Sequence, residues 1–357
     1  IGDNGYGKTS VLEAISVGLG GILAGLPDIP AKNFTKEEIR IVLESTGEGS
    51  FNKRYITPVE VECEAVIENE TFRWIRRKSS VKASRSTVEP RDICRKAEKM
   101  AARKDSILPV LSYQSTARMW MQKRESSDNV FAGQFYRTVG YDSCLIEASN
   151  NKMLMNWIRH MEMLEWKRKA EIGEYQGVKK AVRLFMQEMI QEKVSNFEYD
   201  EQSGELIFVT SEGALPVRDL SAGYQSVIWM VLDIAYRMAL LNPQLLSDIR
   251  NTPGIVLIDE LDMHLHPKWQ WKIVNALKKT FPGVQFIAAT HSPVIMASCK
   301  EEHLIKIDDE KNIIYEKTPY GLEINDILSI CQESGAIAEQ VEKLIADFEN
   351  SITEGDL

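Results

Sequence analysis

Residues 1–10 read IGDNGYGKTS, and the spacing Gly2-x4-Gly7-Lys8-Thr9 within them decides the fold. Glycines let the backbone fold into a tight arch whose N–H groups turn inward onto phosphate oxygens. Such an arch presents Asn4, Gly5, Gly7, Lys8, Thr9 and Ser10 to a nucleotide. Lys8 adds positive charge near the β- and γ-phosphates, and Thr9 offers a hydroxyl to Mg2+. The next residues, SVLEAISVGL, read as a helix whose dipole aims its positive end at the same phosphates. The plain alternative is a chance glycine turn before a helix. A loop of this type follows a buried strand, and Ile1 alone stands in front of it, so the numbered chain reads as a fragment or as trimmed.

Working outward, GIVLIDE at 254–260 is a second, independent signal. Four apolar residues, Ile255 to Ile258, suit a strand buried on both faces. Asp259 would then emerge beside the glycine loop to hold Mg2+, directly or through water. Glu260 follows and can orient the attacking water and accept its proton. By itself the stretch could be a strand that ends in acids before a turn; pairing it with the glycine loop favours the catalytic reading. VQFIAATHS at 284–292 is another apolar run with a polar end, and it carries His291.

A chain of 357 residues can bury a full core as one large domain or two ordinary ones. No apolar run is long enough to span a bilayer, so no membrane partner is expected. Cysteines 63, 94, 144, 299 and 331 are scattered without a CxxC pair, which predicts reduced thiols, a cytoplasmic chain and no structural zinc. The net charge of −9 excludes a wholly basic nucleic-acid coat. Yet Arg73 to Lys104 holds twelve Lys/Arg against three acids, read either as a solvated arm or as a contact for a phosphate backbone.

Between the motifs, VEVECEAVIE at 59–68 alternates as a half-buried strand does, and TFRWIRR reads as its antiparallel partner across Glu68-Asn69-Glu70. ILPVLSYQ at 107–114 predicts a buried strand. Leu154, Trp157, Ile158, Met161 and Leu164 recur at helical spacing, as do Val178, Val182, Phe185 and Met189, giving two helices or a broken one. This Met and aromatic stripe reads as a packing face and is too short for a long coiled-coil arm. NFEYD, ELIFVT and ALPV read as short strands that feed a strong helix, DLSAGYQSVIWMVLDIAYRMAL. The expected fold is α/β: a mainly parallel sheet with flanking helices, an antiparallel β hairpin at 55–80, a helical insertion at 145–195 and an acidic helical tail at 334–357.

DLSAGYQS at 219–226 resembles the Leu-Ser-Gly-Gly-Gln signature loop of ABC-class ATPases, with Ala222 for a glycine, Tyr224 at the usual Gln position and Gln225 one place later. With the glycine loop, the GIVLIDE strand and His291, the chain resembles an ABC-type P-loop ATPase head. The resemblance implies one discontinuous head over 1–357, using ATP and Mg2+. It implies that Ser221 caps the helix and, with the N–H groups near Gly223, meets a phosphate bound by a second copy. It also implies that His291 bonds the γ-phosphate and that Gln114 is a Q-loop residue touching Mg2+, followed by an arginine resembling Arg118. LDMHLHPKWQ resembles the segment after the acidic strand in the RecF, SMC and OLD-like group. Asp262, His264 and His266 there could suggest a metal site, but Pro267 favours a helix entrance. GYDSCL at 140–145, YGLEINDIL at 320–328 and the acidic tail resemble defence-associated ATPases of the Septu type. That implies a homo-oligomer with a separate nuclease partner of the HNH type, and leaves a direct nucleic-acid contact open. The alternatives are a RecF- or SMC-like repair ATPase, a transporter's ATPase subunit and a nucleotide-gated scaffold with little turnover.

Overall fold

The computed structural model describes residues 1–2, 5–46, 50–116, 136–146, 151–190, 194–200, 202–210, 213–308, 310, 312–316, 318–324, 326 and 327. Asn4, Arg118 and the 334–357 tail lie outside the described residues. The chain divides into two compact units, one of Thr9–Leu265 with Asn275–Ala289, the other of Ile1–Lys8, His266–Val274 and Thr290–Leu357.

The larger unit is built on three parallel strands, β6 (Val110–Gln114), β10 (Gly254–Ile258) and β11 (Val284–Ala288), in the order β11-β10-β6. Val256, Leu257 and Ile258 are fully buried, as a central strand of this composition requires. The register pairs Ile258 with Gln114 and with Ala288, so the three strands end together. That shared edge carries Asp259.

α1 (Lys8–Leu23) follows the glycine loop. Its later turns hold Gly18 and Gly21, and a β sheet approaches closely at both. That sheet is a meander of β3 (Val59–Ile67), β4 (Glu70–Lys78) and β5 (Thr87–Glu89), one strand more than the expected hairpin. Trp74 Nε1 donates to the Gly18 carbonyl at 3.0 Å. The buried Arg76 donates to the carbonyls of Val17 at 3.2 Å, Ser86 at 3.3 Å and Lys32 at 2.6 Å. A buried guanidinium is tolerable only with its donors satisfied in this way. The register also sets Glu60 opposite Arg77 and Glu64 opposite Arg73, both as ion pairs. α2 (Asp92–Ala102) places Lys96 against Glu68 and Glu70.

A short hairpin, β1 (Ile41–Ser45) with β2 (Phe51–Tyr55), precedes this meander. The expected insertion forms two helices, α3 (Asn151–Arg168) and α4 (Gly173–Ile190), whose stripe is indeed a packing face: Trp157, Val178, Val182 and Phe185 are all buried. β7 (Val194–Asp200), β8 (Glu205–Thr210) and β9 (Ala214–Pro216) form an antiparallel meander, and α5 (Ala222–Leu241) follows. α6 (Pro267–Thr280) opens on Pro267, so that proline does mark a helix entrance.

In the smaller unit, α7 (Pro293–Ser298) and the antiparallel pair β12 (Leu304–Ile307) and β13 (Ile313–Glu316) follow His291. The Ile1 N–H group donates to the Ile305 carbonyl at 2.7 Å, and the Ile307 N–H donates to the Ile1 carbonyl at 2.9 Å. Ile1 therefore runs as extended chain beside β12, as the residue before a phosphate loop should. No helix among the described residues is long and apolar enough to cross a membrane.

Candidate functional site

Within the smaller unit the glycine loop takes the backbone its composition allows. Gly5 and Gly7 have φ of 85° and 95°, and open space surrounds both, so the left-handed backbone is what requires glycine there. Gly2 is different: a Cβ would meet the Ile307 carbonyl oxygen at 2.5 Å. Lys8 Nζ donates to the Gly2 carbonyl at 2.7 Å, folding the lysine over its own loop. In the same unit, Ser292 caps α7 by accepting from the Ile295 N–H at 3.2 Å, while its Oγ donates to Gln270 Oε1 at 2.6 Å. The Ser292 N–H donates to Thr290 Oγ1 at 3.0 Å. His291 is thus held in a turn pinned on both sides, with its ring half-buried.

In the larger unit, Thr9 Oγ1 donates to Asp259 Oδ2 at 2.9 Å, across 250 residues of sequence. Asp259 is 3% exposed. Its N–H donates to the Gln114 carbonyl at 2.9 Å, and its Oδ1 accepts from the Glu260 N–H at 3.2 Å. Glu260 itself adopts φ 44°, a left-handed conformation that a glutamate holds at a cost of about 1–3 kcal/mol. The Leu261 N–H then returns to the Ala289 carbonyl at 2.9 Å, closing the turn onto β11. Ser10 is exposed on the first turn of α1.

The signature stretch lies at the start of α5. Ser221 occupies the N-cap position, but its side chain makes no capping hydrogen bond, which corrects the expectation that it caps the helix. The loop is instead closed by Gln225, whose Nε2 donates to the carbonyls of Arg218 at 2.8 Å and Leu220 at 2.7 Å. The Gln one place late in the sequence therefore has a structural task, and it leaves the Ser221 hydroxyl exposed while Gly223 is buried.

α5 lies antiparallel to β6. Asp233 meets Ser112 and Gln114 at the strand's C-terminal end, and Asn242 exchanges hydrogen bonds with the Leu108 backbone at its start, both at 2.8 Å. The eleven residues Ala222 to Leu232 thus run on past the sheet edge. At 1.5 Å per residue Ser221 lies about 18 Å along the helix from Asp233.

The structure therefore brings Thr9, Asp259 and Glu260 together, with the backbone of Gln114 beside them. The Gln114 side chain goes elsewhere, to Asp233 and Ser112 on the α5 side of the sheet. Asp233, Arg237 and Ser112 had no motif to announce them. Among the described residues no three His, Cys, Asp or Glu side chains are grouped to hold a metal ion, Asp262, His264 and His266 included. The donor set that does fit a hard divalent cation is the hydroxyl of Thr9 with the carboxylate of Asp259.

A family profile described as AAA domain matches residues 1–207, and one described as AAA ATPase domain matches residues 145–296. The chain is 33% identical over 192 residues to the Retron Vc95 probable ATPase of Vibrio cholerae serotype O1 biovar El Tor, covering 52% of this chain and 36% of that protein. It is 31% identical over 163 residues to the Septu protein PtuA of Bacillus thuringiensis, covering 42% of this chain and 40% of that one. The chain spans between 20% and 40% of the length of the curated relatives it matches. Among solved structures, an SmcHead bound to the C-winged helix domain of ScpA aligns with 88% of this chain and 89% of its own, at TM-score 0.48 and 15% identity.

Proposed function

The chain belongs to the AAA domain family, and from that premise we propose that it binds and hydrolyses ATP as a switch shared between two copies of itself. The Thr9–Asp259 hydrogen bond carries this reading. A helix-initiating hydroxyl and a buried strand-end carboxylate are drawn together across 250 residues of sequence, and together they offer the oxygens that Mg2+ prefers. Bound there, Mg2+ would neutralise charge on the β- and γ-phosphates.

The chain's own groups supply the rest. The loop N–H groups and Lys8 bind phosphate oxygens, Lys8 exchanging the Gly2 carbonyl for them. Glu260 accepts a proton from the attacking water as the water oxygen bonds to the γ-phosphorus and the bond to the β,γ-bridging oxygen breaks, giving ADP and phosphate. His291 donates a hydrogen bond to the γ-phosphate oxygens. The exposed Ser221 hydroxyl, about 18 Å along α5 from Asp233, suits a phosphate bound by a second copy.

Substituting Glu260→Gln tests this directly. Nucleotide binding should persist, turnover should fall on the order of 100-fold or more, and a closed two-copy assembly should accumulate with ATP and Mg2+. Unchanged turnover removes Glu260 from its role.

For the cellular role we infer the regulatory ATPase of an anti-phage defence system that acts with a separate nuclease of the HNH type. The resemblance of GYDSCL at 140–145 and YGLEINDIL at 320–328 to Septu-type ATPases supports this, as does the likeness to a Septu protein. Mass spectrometry of partners co-purified with the full-length protein tests it; recovery of repair factors in place of a nuclease would favour the RecF-like reading.

A further inference from the structure

Gln114 ends a strand beside Asp259, yet its amide is committed to a different set of groups. Its Nε2 donates to Asp233 Oδ2 and to Ser112 Oγ, both at 2.8 Å. Ser112 Oγ in turn lies 3.2 Å from the same Asp233 oxygen. From the other side Arg237 Nε donates to Asp233 Oδ1 at 3.1 Å and Oδ2 at 2.9 Å. Arg237 Nη1 completes the set through the carbonyls of Gly140 at 3.0 Å and Asp142 at 2.9 Å. Gln114 and Arg237 are 6% and 5% exposed. An amide nitrogen has two protons, and both are taken.

We propose that Gln114 and Asp233 are positioning residues: they fix the register of α5 along β6, and so set where the Ser221–Gly223 loop meets a nucleotide held by a second copy. This rests on the two-copy reading above and refines it. Apolar packing of a helix on a strand tolerates small axial slips, whereas a buried, charged hydrogen-bond set is satisfied in one register only. A slip of one turn would carry Ser221 about 5.4 Å, far beyond hydrogen-bond tolerance. Even a shift of about 1 Å can cost on the order of 100-fold in rate. The clamp therefore acts in trans, through the loop, and not on the metal of its own chain.

The decisive variant is Gln114→Met, similar in volume and without the amide, in the full-length protein. First, a fluorescent ATP analogue is titrated at varied Mg2+. The expected result is an unchanged Mg2+ requirement for binding; a requirement raised about tenfold or more would make Gln114 a metal ligand and overturn the proposal. Second, the variant is mixed with Lys8→Ala. The expected result is that Gln114→Met alone turns over at least about tenfold more slowly, and that mixing restores activity because its intact loop-and-lysine site receives an intact Ser221 from the partner. Wild-type turnover by Gln114→Met, or no restoration while a Ser221→Arg and Lys8→Ala control mixture is restored, sinks the clamp. Failure of that control counts against the two-copy reading itself, and the Mg2+ titration still decides whether Gln114 serves its own metal. Asp233→Asn, if it folds, should repeat the Gln114→Met pattern.

Discussion

Asp259 accepts from Thr9 at 2.9 Å, and this contact is legible in the amino-acid sequence because each partner sits in its own strong local pattern. The destination of the Gln114 amide is not, since a strand-end glutamine carries no signal of which face its side chain chooses. Strand alternation sends it, with Ser112 two residues earlier, toward α5. Removing the carboxylate charge should therefore have a narrow effect: Asp259→Asn is expected to weaken Mg2+-dependent nucleotide binding about tenfold or more while metal-free binding through the glycine loop stays intact, as read by isothermal titration with and without chelator. A second residue-scale prediction concerns Glu162 on α3. Its carboxylate accepts from Tyr175 Oη at 2.7 Å and the Tyr199 N–H at 3.1 Å, with Lys179 Nζ 4.0 Å away. Burial raises its pKa above the ordinary value of 4.5, outweighing those hydrogen bonds and the lysine. An acid with a raised folded pKa stabilises the fold fully below its unfolded value, and that contribution is lost as pH rises through the folded one. Glu162→Gln stays neutral throughout. Its denaturation midpoint should therefore improve relative to the unsubstituted protein as pH rises above about 4.5, the side on which the raised pKa acts. A relative loss over that range would show that Lys179 dominates.

The elements with one buried pattern are the readable ones. β10 and β11 announce themselves as apolar runs with polar ends, β3 by strict alternation, and α3 and α4 by their stripes. The hairpin β1–β2 is not legible, because Ile41, Leu43 and Phe51 remain exposed and leave no in-and-out alternation to see. β12 and β13 are four residues each, too short for periodicity to register. The packing of the β3–β5 meander on α1 also lies below what pattern shows, since it depends on glycines that merely look permissive. Gly21 tests it. In an isolated helix Gly→Ala is stabilising by about 1 kcal/mol. Here a Cβ would meet Trp74 Nε1 at 2.5 Å, and Trp74, 2% exposed, has nowhere to move. Gly21→Ala is expected to destabilise by about 1–2 kcal/mol in a urea titration, the overpacking term exceeding the propensity gain. Arg76→Met should cost more, about 3 kcal/mol, because it removes the buried donor shared by the Ser86 and Lys32 carbonyls and Asn33 Oδ1.

At the scale of the molecule, the twelve basic residues of 73–104 look different once paired. β3 sets Glu60 and Glu64 against Arg77 and Arg73, and Glu68 and Glu70 take Lys96. These acids lie before residue 73, so a count along the chain misses them, and Arg73, Arg77 and Lys96 of the stretch are paired. Ser221 is the site residue whose use the two-copy proposal assigns to a neighbouring chain. The Ser221 hydroxyl makes no cap, is exposed, and lies about 18 Å along α5 from the clamp at Asp233. On the two-copy proposal, such a loop contributes to catalysis only when another copy arrives. Turnover per chain should accordingly rise with protein concentration and then saturate as pairs form, with the half-saturation point shifted lower in Glu260→Gln, measured by sizing with ATP and Mg2+ across the same range. Phosphate release strictly proportional to protein at every dilution, with a single copy on sizing, would mean that one chain closes its own site, and Ser221 would then need another role.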